Sequence, residues 1–224
     1  MPRNARVDVG GEIYHVINRA NGCLQIFNKD EDYELFEELL FETKELFHMR
    51  ILAYCLMPNH FHLVLYPKND GDMGLFMHRL SNSHTRKVHA LTNTNGSGHL
   101  YQGRYKSFLV DKENYLSAII KYVERNPVRA KLSKLCEDWK WGSAWLRISG
   151  KLEQHKLLDQ KSFDLPDNYI KWINISEDED LLKNIRVSVK KGVPYGKEKW
   201  VDNMVLKYKL ESTLRSQGRP RKDR

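Results

Sequence analysis

The apolar positions of this chain change period as they run, and the changes mark out a series of elements. Over residues 12–18, Ile13 and Ile17 alternate with Tyr14 and Val16, the two-residue period of a strand, and Asn21-Gly22 follows as a turn signal. Asp30 has the character of a helix N-cap. Beyond it Leu35, Phe36, Leu39, Leu40, Leu46 and Phe47 recur at helical spacing, which predicts an amphipathic helix over 31–48. Residues 51–56 and 60–66 read as strands joined through Met57-Pro58-Asn59, too short a link for anything but an antiparallel hairpin. A second helix is expected over 72–91, with Met73, Phe76, Met77, Leu80, His84 and Val88 on one broad side and Arg79, Arg86 and Lys87 on the other. Residues 92–98 form a loop by composition, 100–110 a basic strand, and 112–126 a third helix. Pro127 is expected to end that helix, because it removes an amide donor and disfavours helical geometry at Asn126.

The order strand, helix, strand, strand, helix, strand, helix predicts an α+β fold: a ferredoxin-like antiparallel sheet with helices on one face. The other face would be free to carry His60 and His62. The character changes near residue 150, which divides the chain into an α+β domain over 1–148, a mainly helical extension over 149–214 and a basic, disordered tail over 215–224. Within the extension, an acidic cluster at 177–180 precedes a short helix, Gly192-Val193-Pro194-Tyr195-Gly196 reads as a turn, and 200–214 as a further helix.

Charge narrows the partners. The net charge is +8 at neutral pH, which favours polyanions: nucleic acid first, an anionic membrane surface second, with solubility as the plain alternative. Three scattered cysteines without a C-x-x-C pair support neither a zinc knuckle nor a dithiol site, and fit a reducing, cytoplasmic compartment. The first residues do not read as a signal peptide and no apolar run approaches the ~20 residues that span a bilayer, so no membrane partner is expected.

His60 and His62 flank one bulky residue in a β-forming run, which points both imidazoles to the same side of a strand while Phe61, Leu63 and Leu65 face the other. The pair could ligate a metal or could be two surface histidines. On the third helix Tyr122 and Asn126 are four apart and share a face, with Tyr115 and Ile119 on the same stripe. A tyrosine at such spacing can also be a core residue. The combination has a chemical logic. A neutral phenol is a poor nucleophile, with a pKa of about 10, but it can attack a phosphodiester that a divalent cation polarises. His60 and His62 would hold that cation, the Asn126 oxygen would complete an open three-ligand site, and the product would be a 5′-phosphotyrosine and a free 3′-OH. Tyr115 competes for the nucleophile's role. Glu124 faces away from Tyr122 and is expected to be solvated, and His78, His84 and His89 to be packing or DNA-facing.

Pro58-Asn59-His60-Phe61-His62-Leu63-Val64 resembles the histidine motif of the single-tyrosine HUH transposases, and within them of the REP-associated tyrosine transposases. Tyr122-Val123-Glu124-Arg125-Asn126-Pro127-Val128-Arg129-Ala130 resembles the tyrosine-helix motif, Trp139-Lys140-Trp141-Gly142-Ser143 a segment that follows it, and Tyr101-Gln102-Gly103-Arg104-Tyr105-Lys106-Ser107 the basic strand before it. The likeness covers residues 5–145, and the tail resembles the family's C-terminal extension. It implies a ferredoxin-like catalytic domain that cleaves and rejoins single-stranded DNA beside a hairpin, with Tyr122 as nucleophile and His60 and His62 binding Mg2+ or Mn2+. In related insertion-sequence transposases the residue four after the tyrosine is glutamine; Asn126, as in the REP-associated branch, reaches less far. The resemblance also implies a monomer with the tyrosine acting in cis.

Arg3, Arg6, Arg79, Arg86, Lys87, Arg104, Lys106 and Arg129 are the basic residues near these motifs, and phosphate contacts from them would supply most of the affinity. Tyr101 and Tyr105 could stack on unpaired bases, and Gly218-Arg219-Pro220-Arg221 resembles a minor-groove hook. The competing reading is a ferredoxin-like module that binds nucleic acid without catalysis. It lacks the central-strand aromatics of an RNA-recognition sheet, and displays histidines in their place. A zinc hydrolase ranks last, since no H-E-x-x-H helix exists.

Overall fold

The computed structural model describes residues 6–94, 96, 98–149, 156–159 and 162–215. Arg3 and the 218–221 hook lie outside them. Four strands, β1 (Ile13–Arg19), β2 (Arg50–Met57), β3 (His60–Tyr66) and β4 (Lys106–Val110), form one antiparallel sheet in the order β2-β3-β1-β4. This is the expected α+β arrangement. Pro58 and Asn59 alone separate β2 from β3, so the turn sets the hairpin register that pairs Met57 with His60.

Helices α1 (Asp30–Phe47) and α2 (Asp72–Thr92) lie together on one face, as their apolar stripes require. Phe36, Leu39, Leu40, Met73, Phe76, Met77 and Leu80 meet Tyr14, Val16, Phe61, Leu63 and Leu65 of the sheet there. Each such large side chain taken from water contributes about 1.5–3 kcal/mol. The carboxylate of Asp8 accepts from the amides of Met73 and Gly74, tying the start of α2 to the segment before β1.

The opposite face is not free, as the histidine pattern had suggested. Helix α3 (Leu116–Glu124) packs on it through Leu116, Ile119, Ile120, Tyr122 and Val123, and α7 (Glu179–Lys191) through Leu182 and Ile185. The reason is compositional: Ile13, Leu52, Ala53, Cys55, Val64, Phe108 and Val110 make that face as apolar as the first, and such a surface needs cover.

The third helix also departs from expectation. Asp111 accepts from the amides of Glu113 and Asn114, a turn that delays the helix to Leu116. It ends at Glu124, two residues before the expected bound at Asn126. After Arg125 the chain continues as α4 (Asn126–Arg129), where Pro127 sits in the first turn and needs no amide donor. Only 106–110 of the predicted 100–110 strand pairs continuously; Tyr101 makes a single bridge to Ala20.

Helices α5 (Ser143–Ile148), α6 (Tyr169–Asn174), α8 (Glu198–Tyr208) and α9 (Glu211–Leu214) complete the described chain. The outer edge of β2 is sealed: Leu56 donates to the Trp141 carbonyl, Tyr54 to Ser143, and Asp159 to the Ile51 carbonyl. The far end of β4 is sealed by Tyr195, whose amide donates to the Leu109 carbonyl, so the expected turn at 192–196 supplies a short parallel bridge. Gly192, at φ 79°, is the left-handed cap that ends α7 and redirects the chain to that edge. Among the described residues no helix is long and apolar enough to cross a membrane.

Candidate active site

The register of β1 against β3 builds the site. Arg19 pairs with His60, Ile17 with His62 and His15 with Val64, so three imidazoles and one guanidinium rise from the α3 face. The ring centroids of His60 and His62 are 5.0 Å apart at 74°. Nδ1 of His60 meets Asn59 Oδ1 at 2.6 Å, and Nδ1 of His62 meets His15 Nε2 at 2.9 Å. With both Nδ1 atoms engaged, Nε2 is the position each ring has left for a ligand. Burial, reinforced by Arg19, lowers His60 to about 4, and burial, reinforced by His60 and His15, holds His62 well below the usual range. Both rings are therefore neutral at neutral pH, the form that binds metals.

Tyr122 occupies the last turn of α3. Its ring lies 6.1 Å from those of both His62 and His15, edge-on to each. It is 7% exposed, at the boundary between core and surface. Burial raises the phenol above its ordinary value, and Arg129, Arg186 and Arg19 act against that rise. The Arg129 guanidinium lies 4.2 Å from the ring centre and donates to the Tyr122 carbonyl. Tyr115 sits at the other end of α3, packed against Tyr195 at 5.1 Å.

Asn126 follows one turn later. Its Nδ2 donates to the carbonyls of Tyr122 and Val123, both at 3.1 Å, which commits the nitrogen to the helix and leaves Oδ1 as the atom for a ligand. Two neutral imidazoles are donors for a borderline divalent cation, and the amide oxygen is one that a harder cation also accepts. Among the described residues no group of three or more His, Cys, Asp or Glu is arranged to hold a metal ion by itself, so further ligands would come from water or a phosphate.

The extension locks this helix end. Glu177, in the turn before α7, is ion-paired to Arg125 at 2.6 Å and to Arg129, and Arg125 also donates to the Ile173 carbonyl. Glu124 is not solvated, contrary to its reading in the sequence. It is 2% exposed and accepts from Ser143, Arg147 and Tyr169, because the side of α3 facing away from the histidines packs on α5 and α6.

The residues assigned to DNA divide into groups. Arg6, Arg104 and Lys106 line a trough of about 1150 Å3 along the outer edge of β4, joined by Lys190 and Lys191 from the end of α7. No carboxylate is among its lining residues. Phe108 lines the same trough and its ring lies 4.8 Å from that of His15, tilted by 39°, so one residue borders both the trough and the tyrosine site. Arg79, Arg86 and Lys87 are exposed on α2 outside the trough, and Arg129 stands at the tyrosine. The two tyrosines expected to stack on bases are otherwise engaged. Tyr101 is buried, with His84 Nδ1 2.6 Å from its hydroxyl, and the Arg6 guanidinium covers Tyr105 at 4.1 Å. His84 is core, stacked on Phe27. His78 is exposed, and His89 bonds Thr94.

Sequence reading missed His15, Arg19, Glu177 and the lysine pair. The signal for His15 was present: an imidazole in a strand, on the same parity as Ile13 and Ile17. Glu177 had none, being one carboxylate in an acidic run.

The model of the family described as "Transposase IS200 like" matches residues 9–126, just over half of the chain. A REP-associated tyrosine transposase bound to a REP hairpin is similar in structure, with a TM-score of 0.56 and 17% identity over 74% of this chain and 99% of that one. A candidate transposase from Deinococcus radiodurans R1 is 21% identical over 55% of this chain and 97% of that one, with a TM-score of 0.38. No curated protein matches the sequence.

Proposed function

Because the chain belongs to the IS200-like transposase family, we propose that it is a metal-dependent single-stranded DNA endonuclease and strand transferase that acts beside a REP-like hairpin. The observation that carries this reading is the convergence of Tyr122 on His62 within 6.1 Å, from a helix and a strand far apart in sequence.

Tyr122 Oη is the nucleophile. It forms the bond to phosphorus as the bond from phosphorus to O3′ breaks; the phenolic proton ends on the leaving oxygen, giving a 5′-phosphotyrosine and a 3′-OH. His60 and His62, with Asn126 Oδ1, would hold Mg2+ or Mn2+. When bound, the cation would withdraw charge from the phosphate and stabilise the leaving oxygen. Arg129 fixes the Tyr122 ring and carbonyl, while Arg19 adds positive charge where a phosphate would enter. The short helix α4 keeps Asn126 one turn from the tyrosine, so nucleophile and ligand move together. Both motifs converge within one chain, which supports a monomer acting in cis. The basic trough beside β4 would carry DNA flanking the scissile phosphate, held through its backbone.

The test is a labelled single-stranded hairpin substrate incubated with Mn2+ and resolved under denaturing conditions. A covalent protein–DNA adduct is expected, absent in Tyr122→Phe and after chelation. His60→Ala should form no adduct yet still bind the hairpin. An adduct formed by Tyr122→Phe would overturn the assignment. Metal-independent binding with no adduct under any condition would favour a non-catalytic binding module.

A further inference from the structure

We propose that His15 is a positioning residue for the cation site: a buried, neutral acceptor that keeps the proton of His62 on Nδ1 and so leaves the Nε2 lone pair free to ligate. The inference rests on the reading of His60 and His62 as ligands.

A neutral imidazole carries one proton, on one nitrogen or the other. A ring that ligates through Nε2 must carry it on Nδ1, and the group facing Nδ1 decides. For His60 that group is the Asn59 side-chain oxygen, an acceptor. For His62 it is Nε2 of His15, at 2.9 Å. Two arrangements of that hydrogen bond exist. If His15 donates, the proton of His62 is forced onto Nε2 and the ligand position closes. If His15 accepts, its own proton must sit on Nδ1, and His15 Nδ1 is buried without a hydrogen-bond partner. Only the second arrangement is compatible with ligation.

The ring cannot turn to relieve this. It is fully buried, with Phe108 at 4.8 Å, His62 at 5.1 Å and Tyr122 at 6.1 Å. A purely structural residue between Ile13 and Ile17 would be apolar and would leave no orphan nitrogen. A carboxylate could also accept from His62, but it would bury a charge in this closed position. A second imidazole accepts the same bond without bringing charge. His15 therefore works against the core unless its nitrogen serves His62.

The experiment is a Mn2+ titration of the full chain, with free Mn2+ read by electron paramagnetic resonance, on wild type, His15→Leu and His15→Gln. Thermal melts and metal-free hairpin binding are measured in parallel. His15→Leu should weaken Mn2+ binding about 10- to 100-fold and bind the hairpin unchanged; it removes the unpartnered His15 Nδ1 but strands His62 Nδ1, so its melting temperature should stay close to that of wild type. His15→Gln, whose amide oxygen can accept from His62, should recover most of the affinity. If His15→Leu does not fold, His15→Asn, one methylene shorter than Gln, takes its place with the same loss expected. A folded His15→Leu or His15→Asn that binds Mn2+ like wild type overturns the inference and leaves the ligand reading standing. Wild type that binds no Mn2+ overturns both.

Discussion

Glu177 is ion-paired with Arg129, and that same guanidinium lies 4.2 Å from the centre of the Tyr122 ring. A carboxylate from the C-terminal extension thus sets the position of the residue that sets the tyrosine. Its side chain is 3% exposed, and those of Arg125 and Arg129 are 7% and 16% exposed. Removing the acid strands two guanidinium groups in a dry environment. Glu177→Ala is expected to cost about 3–5 kcal/mol in urea unfolding, the range for breaking a buried pair from one side. At temperatures where it stays folded, it should form the covalent adduct more slowly than wild type. Unchanged stability and adduct rate would separate the extension from the site.

Asn126 has one structural role and one proposed role, which substitutions can separate. Its nitrogen closes the end of α3 on two carbonyls, and its oxygen is the candidate ligand. Asn126→Asp keeps a ligand oxygen but loses both donated bonds and turns a charge toward helix C-terminal carbonyls, so its melting temperature should fall below that of Asn126→Ala. Both should need more Mn2+ for half-maximal adduct formation than wild type, with Asn126→Ala the more affected. A metal requirement unchanged in Asn126→Ala would remove this residue from the ligand set.

Buried His84 and half-buried Glu37 give stability opposite dependences on pH. Burial lowers His84 to about 4, against about 6.5 in an unfolded chain. Below about 6.5 the unfolded chain takes a proton that the native core refuses, so stability falls as pH drops from there toward 4. Burial raises Glu37 to about 7, opposed by the hydrogen bond from Tyr54. Its contribution is complete at low pH and is lost as pH rises from about 4.5 to 7. Glu37→Gln should therefore gain in melting temperature relative to wild type between pH 5 and 8. A flat difference across that range would show that Glu37 is not held protonated.

The trough beside β4 predicts which cations matter for DNA. Charge reversal at Arg104, Lys190 or Lys191 should weaken hairpin binding and reduce the slope of log affinity against log salt by about 1 for each phosphate no longer neutralised. Arg79→Glu and Arg86→Glu, outside the trough, should change both much less. Fluorescence anisotropy over a salt series measures this; equal effects from the two groups would move the DNA path to the exposed side of α2.

Local pattern alone placed most of the elements and brought the candidate residues into view. The alternation through His60 and His62, the short hairpin link and the four-residue spacing of Tyr122 and Asn126 are all properties of neighbours in the chain, and their geometry follows from strand and helix periods. Tertiary structure decided what those side chains face. Helix α3 covers the second face of the sheet because that face is apolar through residues from all four strands, a sum no single segment displays. Packing pairs His15 with His62 across 47 positions and Arg129 with Glu177 across 48, and it turns Glu124 from an expected surface carboxylate into a buried acceptor. Such partners are set by strand order and by which helix closes over which face, and these depend on burying the whole apolar surface at once.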